Sequence, residues 1–226
     1  MLLFSPSANR VTTIKHLLRA KYKMTDLGPV RCFLGIEIER DRSRRIRHIH
    51  QQRAIQKLLA TYGFSDCNGH WTPQPTGSKL RRLEFDTTNC TARTLDSDVT
   101  VSMLCKFSST PTTEYLSTAT YTLRYLRHTA NLAIQYNASD SEATMPIGYT
   151  DSDFAGDPDD RKSTSGYVFM LAGGAITWRA RKQPLVTFST VEAEYIGASD
   201  AAKEAIWVRS LYARILYGKI LYKHAE

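Results

Sequence analysis

The chain has 226 residues, with 30 Lys and Arg against 22 Asp and Glu, a net charge of +8 and a pI near 9.3. Its 42% hydrophobic and 10% aromatic residues are ordinary for a soluble globular protein with one sizeable core or two small ones. No apolar run approaches membrane-spanning length, and Met1-Leu-Leu-Phe4 is too short for a signal peptide. The positive balance favours a polyanionic partner, although a merely basic, soluble surface fits the same numbers. Cys32, Cys67, Cys90 and Cys105 are scattered, without a Cys-x-x-Cys pair. A reducing compartment, cytoplasmic or nuclear and not secreted, is expected.

Residues 1–66 read as strand, helix, hairpin, helix. After Met1-Leu-Leu-Phe4 and the turn Ser5-Pro-Ser7, Val11, Ile14, Leu17 and Leu18 keep helical spacing. Gly28-Pro29 punctuates the segment that follows. Cys32 to Glu39 alternates like a strand, and Ile46 to His50 returns across a basic turn. Gln51 to Tyr62 is a helix with Ile55, Leu58, Leu59 and Tyr62 on one face, closed by Gly63. The hairpin and the helix after it carry Arg40, Arg42, Arg44, Arg45, Arg47 and Arg53, opposed locally only by Asp41. Either this is a solvated turn or it contacts the phosphates of a duplex.

Residues 67–97 are rich in Thr, Pro, Gly, Asn and Asp and read as a connector. Cys67 and His70 have a metal-like local spacing without a second pair, so a free thiol is the better reading. Over residues 98–144, Val99 to Phe107 reads as a short helix. Pro111 opens a second helix, with Leu116, Ala119, Leu123 and Leu126 on its buried face. Leu132 to Tyr136 can add an edge strand.

Residues 145–226 hold the most informative stretch. Met145 to Asp151 and Ser165 to Leu171 read as strands, Ala172-Gly-Gly174 as a turn, and Ala175 to Arg179 as a third strand. The result is a three-stranded meander. Ser189 with Glu192 three residues on is a capping box that starts a helix running to about Leu216. At about 100° per residue Glu192 and Glu194 diverge; Glu194 shares its stripe with Ala198, Ala201, Ala205, Val208 and Tyr212, so it is expected to face the sheet.

An inward carboxylate needs a partner, because burying an unpaired charge costs several kcal/mol. Asp151 at the strand end could supply one through a hard cation bound by oxygen. From spacing alone a second reading stands level with it: Asp151 and Asp153 are turn residues, and Glu194 pairs with Lys203, Arg179 or Arg181. An EF-hand over Asp151-Ser-Asp153 is rejected, since its fifth position is Ala155 and its twelfth is Lys162.

The ordered run Tyr149-Thr-Asp-Ser-Asp, Ala155-Gly-Asp, Asp160-Arg-Lys-Ser-Thr-Ser-Gly-Tyr167, Ala175-Ile-Thr-Trp178, Lys182-Gln183, Ser189-Thr, Glu192-Ala-Glu-Tyr195 and Glu204-Ala-Ile-Trp207 resembles the RNase H domain of copia-type LTR retrotransposon polyproteins. Met24-Thr-Asp-Leu-Gly28, Phe33-Leu-Gly-Ile-Glu-Ile38, Lys57-Leu-Leu59 and Tyr62-Gly-Phe-Ser-Asp-Cys67 are similar to the end of the reverse transcriptase in that family, just beyond its polymerase aspartates. The likeness covers residues 1 to about 212, interrupted near 75–97. A Gly-Ser-x-x-Tyr-Leu helix usual there has no counterpart here.

The resemblance implies an α+β architecture, with a reverse-transcriptase palm and thumb remnant and its connection ahead of an incomplete RNase H-like mixed sheet of three meander strands plus a helix. It makes Asp151 and Glu194 catalytic metal ligands, with Asp153 a candidate outer ligand. The family's third and fourth carboxylates, on an Asp-Asn-Gln strand and a later His-Ile-Asp, do not occur in this sequence. The parent activities are RNA-dependent DNA synthesis and two-Mg²⁺ hydrolysis of RNA in an RNA/DNA hybrid. At most one weakly bound Mg²⁺ and no catalysis are expected of this chain, with an RNA/DNA hybrid or other duplex nucleic acid as partner and no membrane. A domesticated, non-catalytic nucleic-acid-binding protein and a pseudogene product remain open.

Overall fold

The computed structural model describes Leu3, residues 7–73, Leu104, and residues 113–138, 145–157 and 159–217. The strand expected at Met1–Phe4, the helix expected over Val99–Phe107, the opening of the next helix at Pro111 and the chain beyond Tyr217 lie outside these, as does most of the connector. The described elements run α1 (Ala8–Lys21), β1 (Cys32–Phe33), β2 (Ile36–Asp41), β3 (Ile46–His50), α2 (Gln52–Thr61), α3 (Thr113–Thr129), β4 (Ile134–Asn137), β5 (Ile147–Ser152), β6 (Thr164–Leu171), β7 (Gly174–Lys182) and α4 (Thr190–Tyr217). Two sheets form, β1-β2-β3-β4 and β5-β6-β7. The expected α+β class is therefore observed, but every ladder is antiparallel rather than mixed. Hairpins join neighbouring strands in reverse, whereas a parallel pair needs a crossover connection.

In the first sheet, the strand expected near Leu132–Tyr136 forms as β4 and pairs with β3, through Arg47↔Tyr136 and Ile49↔Ile134. α2 ends in a Schellman motif: Phe64 N–H donates to Leu59 O at 2.8 Å and Gly63 N–H to Ala60 O at 3.3 Å, with Gly63 at φ +74°. Of its expected apolar face only Leu59 is buried; Leu58 and Tyr62 are exposed. α1 buries no residue at all.

The expected face of α3 is corrected. Leu116 is exposed and Ala119, Leu123 and Leu126 are only half-buried, whereas Tyr115, Thr118 and Thr122 are buried. Residues 65–73 lie across this helix and decide which side is covered: Thr122 Oγ1 donates to Pro73 O, Arg127 Nε donates to Ser65 O, and His70 stacks on Tyr121 with centroids 4.0 Å apart. Polar residues that satisfy the strap's backbone thus outcompete the leucines for the buried face.

In the second sheet, β6 and β7 are joined by Ala172-Gly173, both at positive φ (53° and 78°), a type I′ turn whose twist matches the strands. α4 packs against β5 and β6, burying Tyr167, Phe169, Ala201 and Val208 as the core. The capping box at its start is present: Glu192 N–H donates to Ser189 Oγ at 3.1 Å. The Glu192 carboxylate reaches back to the Phe188 N–H, one residue ahead of the cap, at 2.7 Å.

The two sheets meet where β4 touches the β6–β7 turn. Tyr136 Oη donates to Ala175 O at 2.5 Å, and Asn137 N–H donates to Ala172 O at 2.7 Å. A methyl group at Gly174 would lie 2.6 Å from the Tyr136 ring and 2.8 Å from the Gln135 carbonyl. The second obstacle is backbone, which cannot swing aside. Gly174→Ala should therefore lower stability by about 1–3 kcal/mol. Chemical denaturation checks this, with Tyr136→Ala as the companion that removes the ring but not the backbone clash.

The loop between β5 and β6 is clamped by Lys182, whose ammonium pairs with Asp157 and, at 2.8 Å, with Asp160. Burial works against the Lys182 charge, but the hydrogen bonds it donates to Asp157 and Asp160 outweigh it and hold its pKa above the ordinary lysine value. Burial likewise works against the Asp160 carboxylate, and Lys182 with the Lys162 N–H overcomes it to hold Asp160 below the ordinary value. The contribution of Asp160 is present above the unfolded carboxylate range and is lost as pH falls through its lower folded value. That of Lys182 is present below 10.5 and is lost as pH rises through its raised folded value. Lys182→Met should lower Tm by about 2–4 °C at pH 7 and by progressively less as pH falls through the lowered folded value of Asp160. Thermal melts over that pH range read the difference.

Candidate functional site

Asp151 is the penultimate residue of β5, registered opposite Gly166. Its neighbour Ser152 faces α4: Ser152 Oγ bonds Ser165 Oγ at 3.0 Å, and a Cβ on Gly197 would come within 2.2 Å of it. Strand alternation then turns Asp151 to the other side, where it is exposed. Glu194 is exposed too, which corrects the expectation that it faces the sheet. The sheet-facing stripe of α4 runs Ala193, Gly197, Ala201, Glu204, Val208, and Ala193 is fully buried. Glu194 lies about 100° round from Ala193, at the stripe's margin. The expected stripe was correct from Ala201 onward and displaced in the first turns, where the small residues Ala193 and Gly197 take the close approach.

Asp153 is engaged in the loop: its carboxylate accepts the Thr164 N–H, and its own N–H donates to Thr164 O at 3.0 Å. No group of three or more His, Cys, Asp or Glu side chains placed to hold a metal ion occurs among the described residues. Asp151 and Glu194 are thus two exposed carboxylates carried by packed elements, and the described residues do not assemble the oxygen cage that two Mg²⁺ ions require.

The carboxylate that does enter the helix–sheet interface is Glu204, which accepts from Thr177 Oγ1 at 2.7 Å. Burial, followed by the negative charge of Glu204, raises the Tyr167 hydroxyl pKa. Asp200 is held below its ordinary value by Lys203, with Arg179 and Arg181 adding to the effect. The two arginines and Lys203, weighed above as partners for Glu194, therefore act on Asp200.

Several motif residues that suggest no chemistry by themselves form one buried polar network. Ser163, fully buried, accepts the Ala155 N–H and meets Thr187 Oγ1 at 3.2 Å. Gln183 donates through Nε2 to Ser165 Oγ and to Ala193 O, while its backbone N–H donates to Ser163 O. This network ties the ends of β5, β6 and β7 to the first turn of α4. The signal for it in the sequence is a run of Ser, Thr and Gln inside strand patterns where apolar residues would be expected. Gln183 Oε1 is buried and makes no hydrogen bond.

The arginines divide. Arg40 and Arg47 are directly opposed cross-strand partners, and Arg47 continues the row to Tyr136. Arg42, Arg44 and Arg45 form the turn beyond them. Asp41 caps this turn, accepting from the N–H groups of Ser43 and Arg44 and the Ser43 hydroxyl, and lies 3.7 Å from Arg44 Nε. Arg53 is separate: its Nε pairs with the buried carboxylate of Glu37 at 2.8 Å, and its N–H donates to the same group. Of the six arginines expected from the sequence to act together, Arg53 is thus the one tied to a carboxylate away from the turn, where Glu37, near the start of β2, anchors the first turn of α2.

Among the described residues no carboxylate pairs with Arg40, Arg42, Arg45 or Arg47. Burial and then the charges of Arg47 and Arg42 push the Arg40 guanidinium below its ordinary pKa. Several imidazoles are occupied locally: His48 with Gln135 at 2.9 Å, His50 beside Glu37 at 3.4 Å, His70 on Tyr121, and His128 against Trp71. Cys67 forms no disulfide with Cys32, the other described cysteine. No described helix is long and apolar enough to cross a membrane.

No family model matches the chain, and no solved structure matches it. Similarity to curated proteins is extensive. The chain is 32% identical over 232 residues to the retrovirus-related Pol polyprotein from transposon TNT 1-94 of Nicotiana tabacum, an alignment that covers 92% of this chain and 17% of the polyprotein. It is 30% identical over 210 residues to the retrovirus-related Pol polyprotein from transposon RE1 of Arabidopsis thaliana, covering 86% of this chain and 14% of that one. A stretch of 108 residues is 38% identical to secreted RxLR effector protein 161 of Plasmopara viticola, covering 48% of this chain and 75% of that shorter protein. The chain spans less than a fifth of the two polyproteins. With about nine-tenths of its residues aligned to them in order, the chain belongs to the copia-type retrovirus-related Pol polyproteins of transposons.

Proposed function

We propose that these residues comprise the end of a reverse transcriptase, its connection and the first strands and helix of an RNase H-like module, and that on their own they bind duplex nucleic acid without cleaving it. The observation that carries the reading is the Arg40–Arg47 cross-strand pair. Like charges directly opposite on neighbouring strands destabilise a sheet, and here they are crowded further by Arg42, with no carboxylate among the described residues paired to relieve them. A phosphate backbone relieves that repulsion by binding, and release of its condensed counterions adds to affinity. The three-stranded meander with α4 packed on it, and the placement of Asp151 and Glu194 at a strand end and in a helix start, support the RNase H-like part. The parent activities, RNA-dependent DNA synthesis and hydrolysis of RNA in RNA/DNA hybrids, belong to this proposal. Two exposed carboxylates do not make a two-ion Mg²⁺ site.

A domesticated binding role is favoured by one further observation. The match to the Plasmopara viticola protein covers three-quarters of a short chain, so a stretch similar to part of this one exists outside a long polyprotein. In that role too the arginine hairpin is the binding element.

Replacing Arg40, Arg42, Arg45 and Arg47 by Gln should weaken binding to RNA/DNA hybrid and to DNA duplex alike. It should also flatten the dependence of log K on log salt by about one for each phosphate no longer neutralised. Arg53→Gln should leave that slope unchanged and instead lower folding stability by about 1 kcal/mol, because Glu37 loses a charged partner. Fluorescence anisotropy over a salt series, paired with denaturation curves, separates the two, and an unchanged slope in the fourfold variant would leave the hairpin as a solvated turn.

The purified chain should bind but not cleave a labelled RNA/DNA hybrid in Mg²⁺ or Mn²⁺. Cleavage that disappears in Asp151→Asn would show that the missing carboxylates are supplied from elsewhere and would overturn this part of the reading.

A further inference from the structure

α4 is apolar on two sides, and among the described residues only one of them packs against other elements. Opposite the stripe that packs on the sheet, Val191 is 61% exposed, Tyr195 74% and Ile206 59%. Ala198 and Ala202 are exposed between them. At about 100° per residue these five positions fall within about 80° of one another and extend about 22 Å along the helix. A helix that is apolar all round is ordinarily covered all round.

The order of charges along the helix says what covers it. The acids Glu192, Glu194 and Asp200 all precede the bases Lys203, Arg209 and Arg214 along the helix. Glu204, the one acid of the second half, is turned into the sheet by its bond to Thr177. The helix dipole favours acids in the first turn and bases in the last, but it does not reach Asp200, Lys203 or Arg209 in the middle of a 28-residue helix. The surface is therefore complementary to itself when reversed.

We infer that α4 is a self-association surface, on which a second copy of this chain docks its own α4 antiparallel about a two-fold axis. An axis between Ala198 and Ser199 sets Val191 opposite the second copy's Ile206 and Tyr195 opposite its Ala202, a large residue against a small one. Glu192 and Lys203 are eleven residues apart and within about 20° of each other around the helix, so they share a flank. In an antiparallel pair like flanks face each other, and each Glu192 meets the other copy's Lys203, which in the single chain leans back on Asp200 at 2.8 Å. Alanines at the centre allow the close approach, and the charges specify direction. A single helix pair is a small interface, so the association belongs to the weak and transient class. The surface is distinct from the arginine hairpin and does not depend on the nucleic-acid reading.

The test is sedimentation equilibrium of the full chain without nucleic acid, from about 1 μM to about 1 mM, the range in which weak association is read. A monomer–dimer equilibrium is expected. Ala202→Arg, which puts a good helix former carrying charge at an exposed position, should raise the dissociation constant at least about tenfold. Lys203→Glu and Glu192→Lys should each weaken self-association, and an equimolar mixture of those two variants should form a heterodimer more tightly than either variant pairs with itself. A single monomeric species throughout the range, a dimer that ignores Ala202→Arg, or a mixture no tighter than its components would each overturn the proposal.

Discussion

The approach of α4 to the ends of β5 and β6 is the contact on which the second half of the molecule depends. A side chain at Gly197 would collide with Ser152 Oγ and crowd Ser165, and Ala193, one turn earlier, has no exposed surface. Helix and sheet can come this close only because the facing residues are Gly, Ala and Ser. Small residues bury little apolar area, so the first turn of α4 is held by hydrogen bonds, from Gln183 to the Ala193 carbonyl and to Ser165. Farther along, Phe169 and Val208 supply conventional burial. The same geometry leaves Asp151 and Glu194 at the rim of the contact, exposed on either side of it.

The first half is organised differently. Its sheet carries buried charge at one end, where Glu37 holds Arg53 and the start of α2, and crowded positive charge at the other, where Arg40 faces Arg47. A buried carboxylate with an arginine and a backbone N–H as partners anchors two elements, whereas opposed guanidiniums strain the strands that carry them. Tyr136 links these halves. It continues the arginine row in β4, and its hydroxyl bonds to the first residues of β7. The hairpin read as a nucleic-acid contact and the sheet bearing Asp151 are therefore joined through Tyr136, the glycine that makes room for it and the adjacent Asn137 N–H.

Much of this organisation is legible in the order of residues. Strand alternation, turn glycines and the Ser189–Glu192 capping box locate the meander, both hairpin strands and the start of α4, because those signals act within a few residues of themselves. Motif order identifies the family. Which face of a helix is buried is less legible wherever the partner is not a sheet of apolar side chains: Leu116 has the periodicity of a core residue, yet Thr122 is buried because a distant strap needs its hydroxyl. The placement of Glu194 failed for a related reason, since the helical stripe drifts and only contact with Ser152 shows that Gly197 sits at its centre.

The sequence by itself determined the local elements, the family and the residue types available for chemistry, since each follows from short-range sterics, capping and ordered motifs. Tertiary structure alone decided which charges meet an opposite charge and which do not. Arg53 and Arg47 are equivalent letters in a basic stretch, but one meets a buried carboxylate and the other an arginine. Glu204 and Glu194 are likewise two acids of one helix, and only the first reaches the sheet. Electrostatic partners are chosen across space by burial and distance, neither of which spacing along a chain encodes.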